Sequence, residues 1–183
     1  MASSRAYTLS QVPEATGATK VGYTPSGSGT GPTVQAALDA LAVGINSTPT
    51  AFHAHRSSAQ TSGTTVIFDT VDSQTGGTNY SNSTGVFTAP VTGVYLFTTA
   101  VTFLNNTGGN FTIVADITGP GGSAADGRII LANVTAGYIS LTTVLALSAT
   151  NTVSVTCSAL AANLSVNSGT GTSFSAALLV RTS

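Results

Sequence analysis

The chain has 183 residues, of which 6 % are charged, and its five Lys plus Arg against six Asp plus Glu give a formal net charge of -1. Ordinary soluble domains carry about 25 % charge, so solubility here rests on Ser, Thr, Asn and Gly, and no basic stripe exists to meet the phosphates of a nucleic acid. The single Cys157 has no partner for an intrachain disulfide, and no run approaches the ~18 unbroken apolar residues that membrane insertion requires.

In chain order, Met1 to about Gly44 differs from the remainder of the chain, with Gly, Pro, Ser and Thr crowded between Pro13 and Pro32. The opening MASSRAYTLS has no apolar h-region, so no export signal is expected. Within this region TVQAALDALAVG places Val34, Ala37, Leu38 and Leu41 at i, i+3, i+4 and i+7, with Thr33 as N-cap and Gly44 as stop. That spacing predicts a short amphipathic helix over 33–43. So short a helix is marginal alone in water, so Val34, Leu38 and Leu41 are expected to bury against the same helix of other copies. The predicted division is an N-terminal segment over 1–46 and a head domain over 47–183.

From Asn46 onward the apolar period changes to two, which predicts strands. The first stretches are Ala51 to Ser58 and Thr64 to Asp72, which a family resemblance marks as opening strands. In the first of them His53 and His55, the only histidines of the chain, point to one face of a strand. With Phe52 and Ala54 toward a core, both imidazoles face outward as candidate ligands for Zn, Fe, Cu or Ni, and in a trimer six of them converge near the axis. The bland reading is two ordinary polar residues on an open face. Asp69, Asp72, Asp116 and Asp126 are candidate oxygen ligands for calcium, without the spacing of a calcium loop.

Turns are predicted at Asp72 to Thr78, Asn105 to Asn110 and Gly119 to Gly127. The loops Ser73 to Asn79, Asn105 to Asn110 and Gly119 to Gly127 are where binding is expected, since loops carry function. Between the first two lies YSNSTGVFTAPVTGVYLF, Tyr80 to Phe97: an aromatic, Gly-x-Phe, a proline, then Gly-x-Tyr-x-Phe. It reads as two extended segments joined by a tight turn at Ala89 to Gly93.

The predicted strand Val94 to Leu104 is apolar on both sides: Tyr95, Phe97, Val101 and Phe103 on one, Val94, Leu96, Ala100 and Leu104 on the other. The closing strand repeats this, with Phe174, Ala176, Leu178 and Val180 opposed to Ala177 and Leu179. Thr152 to Leu160, by contrast, alternates Val153, Val155, Cys157 and Ala159 with hydroxyls. A sheet with one face in a sandwich core and the other also apolar needs a second surface to cover it. The expected residues of a contact with another subunit are therefore Val94, Leu96, Ala100, Leu104, Ala177 and Leu179, together with Val34, Leu38 and Leu41, the alternative being a larger two-sided core within a monomer.

No G-x-S-x-G elbow, P-loop spacing or paired-acid device is present. The chain is expected not to be an enzyme and to need no cofactor, a metal ion on the trimer axis being the one candidate.

The Tyr80 to Phe97 grammar, with AFHAHRSS and TTVIFDTVD before it and TSFSAALLV after it, resembles the globular C1q-like domain of the C1q and tumour necrosis factor superfamily. The resemblance implies an all-β jelly-roll sandwich and a tight homotrimer packed through its inner sheet. Gly17 to Leu41 resembles the neck preceding the receptor-binding body of bacteriophage tailspikes and fibres. Together they imply a phage virion fibre or decoration, assembled in the bacterial cytoplasm and attached to other virion proteins through 1–46. Its head would adhere to a host-surface glycan or protein. The alternatives are a secreted C1q-like or cytokine-like recognition protein and a capsid cement protein without a receptor.

Overall fold

A computed structural model describes residues 49–61, 64–105, 109–131, 135–158 and 164–182, all within a compact unit over Thr48–Ser183. The expected helix, with Val34, Leu38 and Leu41, and the neck lie outside the described residues. No helix occurs among the described residues, which form eleven strands. These are β1 (Ala51–Arg56), β2 (Thr70–Thr75), β3 (Tyr80–Ser81), β4 (Val86–Thr88), β5 (Gly93–Asn105), β6 (Phe111–Gly119), β7 (Gly122–Leu131), β8 (Ala136–Leu147), β9 (Thr152–Ser158), β10 (Leu164–Val166) and β11 (Gly169–Arg181).

Two antiparallel sheets result. The first runs β8-β5-β11-β1-β2, with β10 pairing the far end of β5, and the second runs β3-β4-β9-β6-β7. Each contributes one face to the core by period-two alternation. Tyr95, Phe97, Val101 and Phe103 of β5 are buried against Ile113, Ala115 and Ile117 of β6 and Val153, Val155 and Cys157 of β9. At one end the core is aromatic. The ring of Phe174 lies 5.1 Å from Phe52, 5.6 Å from Phe68 and 6.0 Å from both Tyr80 and Phe97, centroid to centroid.

The Tyr80 to Phe97 stretch forms two extended pieces and a turn, but the pieces are not a hairpin. The turn at 89–92 carries the chain from β4 in the second sheet to β5 in the first. Gly85 is required on two counts: its φ is +74°, and a Cβ there would sit 2.6 Å from the carbonyl oxygen of Val66.

Four expectations need correction. Thr64 to Asp69, expected as the first part of a strand running to Asp72, lies outside the strands. It lies beside β9, through the Thr65 and Thr156 bridge and a 2.8 Å bond from the Val66 amide to the Val155 carbonyl, and buries Val66 and Phe68. Asp72 to Thr75, expected to turn, forms the last four residues of β2, and the turn comes after it. Gly122 to Gly127, expected to be loop, belongs to β7, so the hairpin from β6 turns at Pro120-Gly121 alone. In β11 a register shift between Leu178 and Val180 places Val180 opposite Val94. Val180 therefore leaves the core side and is exposed, whereas Leu178 stays packed on the core.

Candidate functional site on the outward face of the first sheet

The side of the first sheet turned away from the core collects the residues with the most to explain. On β5, Val94, Leu96, Ala100 and Leu104 are half-buried at the outward positions, alternating with fully buried neighbours. The ladders extend this face into rows across the sheet. Val144, Leu96, Ala177 and Ala51 form one row, and Thr142, Thr98, Ser175 and His53 the next. Val144 is 54 % exposed, and the irregularity in β11 leaves Leu179 at 56 % and Val180 at 52 %. An open depression of ≈ 90 Å³ lies among Leu96, Thr98, Ser175, Ala176 and Ala177. Its size suits a side chain and falls well below the ~300 Å³ of a small-molecule pocket.

The larger apolar side chains of this face lie on β8, β5 and β11, while His53, His55 and Asp72 gather at β1 and β2. Phe52 and Ala54 point into the core, so His53 and His55 face outward as their spacing predicts. The structure adds Asp72. Along β2, Ser73 pairs with His53 and Val71 with Ala54, which leaves Asp72 as the extra residue of a β-bulge. A regular ladder would have set Asp72 opposite Ala54. The bulge turns its carboxylate toward the histidines instead, as bulges re-aim side chains.

The two imidazoles use Asp72 differently. His55 Nδ1 lies 2.9 and 2.8 Å from the two carboxylate oxygens, and because a carboxylate only accepts, Nδ1 carries the hydrogen. His53 Nε2 lies 3.4 Å from Asp72 Oδ2, outside ordinary hydrogen-bond range, while its Nδ1 meets Ser175 Oγ at 2.7 Å. The side chain of His55 is 18 % exposed, against 44 % for His53 and 38 % for Asp72. The open end of the cluster is therefore the pair His53 and Asp72.

Asp69, Asp116 and Asp126 do not converge with it. Asp116 and Asp126 face each other across β6 and β7 on the far sheet, and Asp116 accepts from Ser123 Oγ at 2.9 Å. Asp69 binds the Ser57 amide at 2.6 Å and Ser58 Oγ at 2.8 Å. Among the described residues no group of three or more His, Cys, Asp or Glu is arranged to hold a metal ion. The described cysteine is buried, and that burial pushes its thiol up to about 11, which keeps it from acting as a nucleophile near neutral pH.

Beside the cluster the start of the next loop is pinned. Arg56 is buried where the β1 register breaks, with Nη1 donating to the Ile67 carbonyl, and desolvation lowers its pKa. For Asp69 burial acts to raise the pKa, but bonds from the Ser57 amide and Ser58 hydroxyl and the charge of Arg56 outweigh it and hold the carboxyl down at about 2. A folded-state pKa below the ordinary value of 3.8 means that Asp69 stabilises the fold above pH 3.8 and that this contribution disappears as pH falls through about 2. Asp69→Asn is expected to flatten the loss of thermal stability between pH 4 and pH 2, as melting curves across that range will read.

Sequence reasoning found the outward histidines and the two-sided strand. It missed the Asp72 and Ser175 contacts, because both depend on which strands become neighbours, and the bulge at Asp72 has no local signature.

The comparisons with known proteins agree with this architecture. No curated protein matches the chain. Among solved structures it is similar to the globular domain of zebrafish complement 1qA protein, at 20 % identity and a TM-score of 0.57, covering 73 % of this chain and 99 % of that one. It is similar also to murine APRIL, at 17 % identity and a TM-score of 0.55, covering 72 % and 99 %. Both likenesses concern the fold, a jelly-roll sandwich. The C1q domain profile matches residues 51–179, most of the chain and all of the sandwich except its last residues, so the protein belongs to the C1q domain family.

Proposed function

We propose that the protein is a bacteriophage virion component, a homotrimeric fibre or decoration that displays its C1q-like head for adhesion to the host cell surface. The trimer rests on one observation above all. The outward face of the first sheet presents Val94, Leu96, Ala100, Leu104 and Ala177 half-buried and Val144, Leu179 and Val180 exposed in a single copy. Leaving such a face to water is unfavourable at about 25 cal/mol per Å² of apolar surface, and a further copy of the chain relieves it with closed symmetry.

The virion assignment is supported by the likeness of Gly17 to Leu41 to phage fibre necks and by a surface nearly free of charge. In this reading 1–46 attaches to other virion proteins. Adhesion is non-catalytic. Ser175 lies beside His53, yet β11 is flanked by β5 and β1, so its amides are engaged in ladders rather than free to stabilise an oxyanion. Three head domains per trimer and many trimers per particle gain avidity through effective concentration.

The test is immunogold electron microscopy of particles, combined with adsorption of a gene-deleted phage. Labelled particles whose deletion mutants fail to adsorb support the reading. Unlabelled particles overturn it, and labelled particles that adsorb normally but break on heating assign the protein to capsid cement instead.

A further inference from the structure

The His53 and Asp72 pair has the geometry of half a metal site. Donors about 2.1 Å from a tetrahedral ion lie about 3.4 Å from each other, and His53 Nε2 and Asp72 Oδ2 are 3.4 Å apart. Each donor is backed by a second hydrogen bond of the kind that orients metal ligands. Ser175 Oγ holds the other nitrogen of His53 at 2.7 Å, and His55 Nδ1 holds the Asp72 carboxylate at 2.8 Å. The carboxylate reaches this position only through the β2 bulge. Both donors are substantially exposed, while the backing His55 is not.

The geometry points to a divalent transition-metal site of the zinc class, in which His53 Nε2 and the Asp72 carboxylate of one copy supply two ligands and a second copy of this chain supplies the rest. Two ligands hold an ion poorly by themselves, which fits the lack of any complete set among the described residues. The pair sits on the same sheet face that carries the apolar contact rows, so an ion there staples copies together. On binding, the ring hydrogen of His53 resides on Nδ1 and is donated to Ser175 Oγ, which leaves the Nε2 lone pair for the metal. The assignment differs from six converging imidazoles in giving His55 to Asp72 as an orienting partner. It rests on the trimer reading above.

The test uses the full-length chain stripped with a chelator. It is titrated with Co2+, whose visible bands report coordination, while native mass is followed by light scattering with and without Zn2+. Expected is saturable binding that His53→Gln and Asp72→Asn each weaken at least about tenfold, and that Ser175→Ala, which removes no ligand, weakens by about 10- to 100-fold. Unchanged circular dichroism controls for folding. Equal Co2+ affinity and spectra in wild type and His53→Gln overturn the site, and an ion carried by a species of one-chain mass overturns the stapling. A trimer that takes up no metal overturns this inference alone. A monomer at every Zn2+ concentration overturns the trimer reading and this inference with it.

Discussion

Phe174→Ala is expected to lower stability by about 3–5 kcal/mol, the range for deleting a buried phenyl ring from a core that cannot collapse around the gap. Phe174 is wholly buried and touches four other rings: Phe52, Phe68, Tyr80 and Phe97. Those rings come from β1, from the segment beside β9, from β3 and from β5, so they are anchored in different parts of the sandwich and cannot move inward together. Domains have only about 5–15 kcal/mol in total. The melting temperature should fall by roughly 10–20 °C for a domain of this size. Phe174→Leu, which keeps most of the volume, should cost about half as much or less. Thermal unfolding followed by circular dichroism decides between them, and an alanine variant melting within a few degrees of wild type would show that the aromatic cluster is not the keystone of the core.

Leu96→Glu should leave the sandwich intact and abolish association. Leu96 faces outward and lines the open depression beside Ser175, so a single copy accommodates a carboxylate there in water. Burying that charge unpaired under a neighbouring chain costs about 3–5 kcal/mol at each contact, and a closed trimer repeats the contact three times. Light scattering should therefore read one chain instead of three, with a melting curve reporting a folded domain. A variant that remains trimeric would place the contact on another surface. One that unfolds would mean that Leu96 serves the core.

The sandwich was legible because the strands that build its core obey period two under burial on one side. β5 and β9 keep the expected alternation residue by residue. What escaped notice was strand structure without an apolar signature. β2 is an edge strand whose TVDSQT holds Val71 as its one apolar residue, so Asp72 to Thr75 looks like a turn. β7 reads as loop because GSAADG is small and polar, yet smallness is what its position demands. A Cβ at Gly127 would fall 2.7 Å from Ile139 Cγ2 and 2.8 Å from Leu141 Cδ2, so the glycine lets β7 lie close against β8.

Register was equally hidden. The shift that exposes Val180 and the bulge that presents Asp72 are each one residue long, and both reverse the face on which a side chain appears. The candidate site was legible only as far as a single strand could show it: His53 and His55 outward, but neither the carboxylate between them nor the serine behind them.

The placement of β11 in the middle of the first sheet, between β5 and β1, has a consequence for synthesis. Chains emerge at about 5–20 residues per second, so seconds pass between the appearance of β5 and that of the strand which joins it to β1. During that interval the two-sided β5 has no partner on that flank, and β1 cannot enter the sheet. Folding of the head is thus deferred until the ribosome has delivered β11. A nascent chain interrupted before Gly169 lacks the strand that unites the sheet, so truncated products are disqualified from assembly before they can corrupt it.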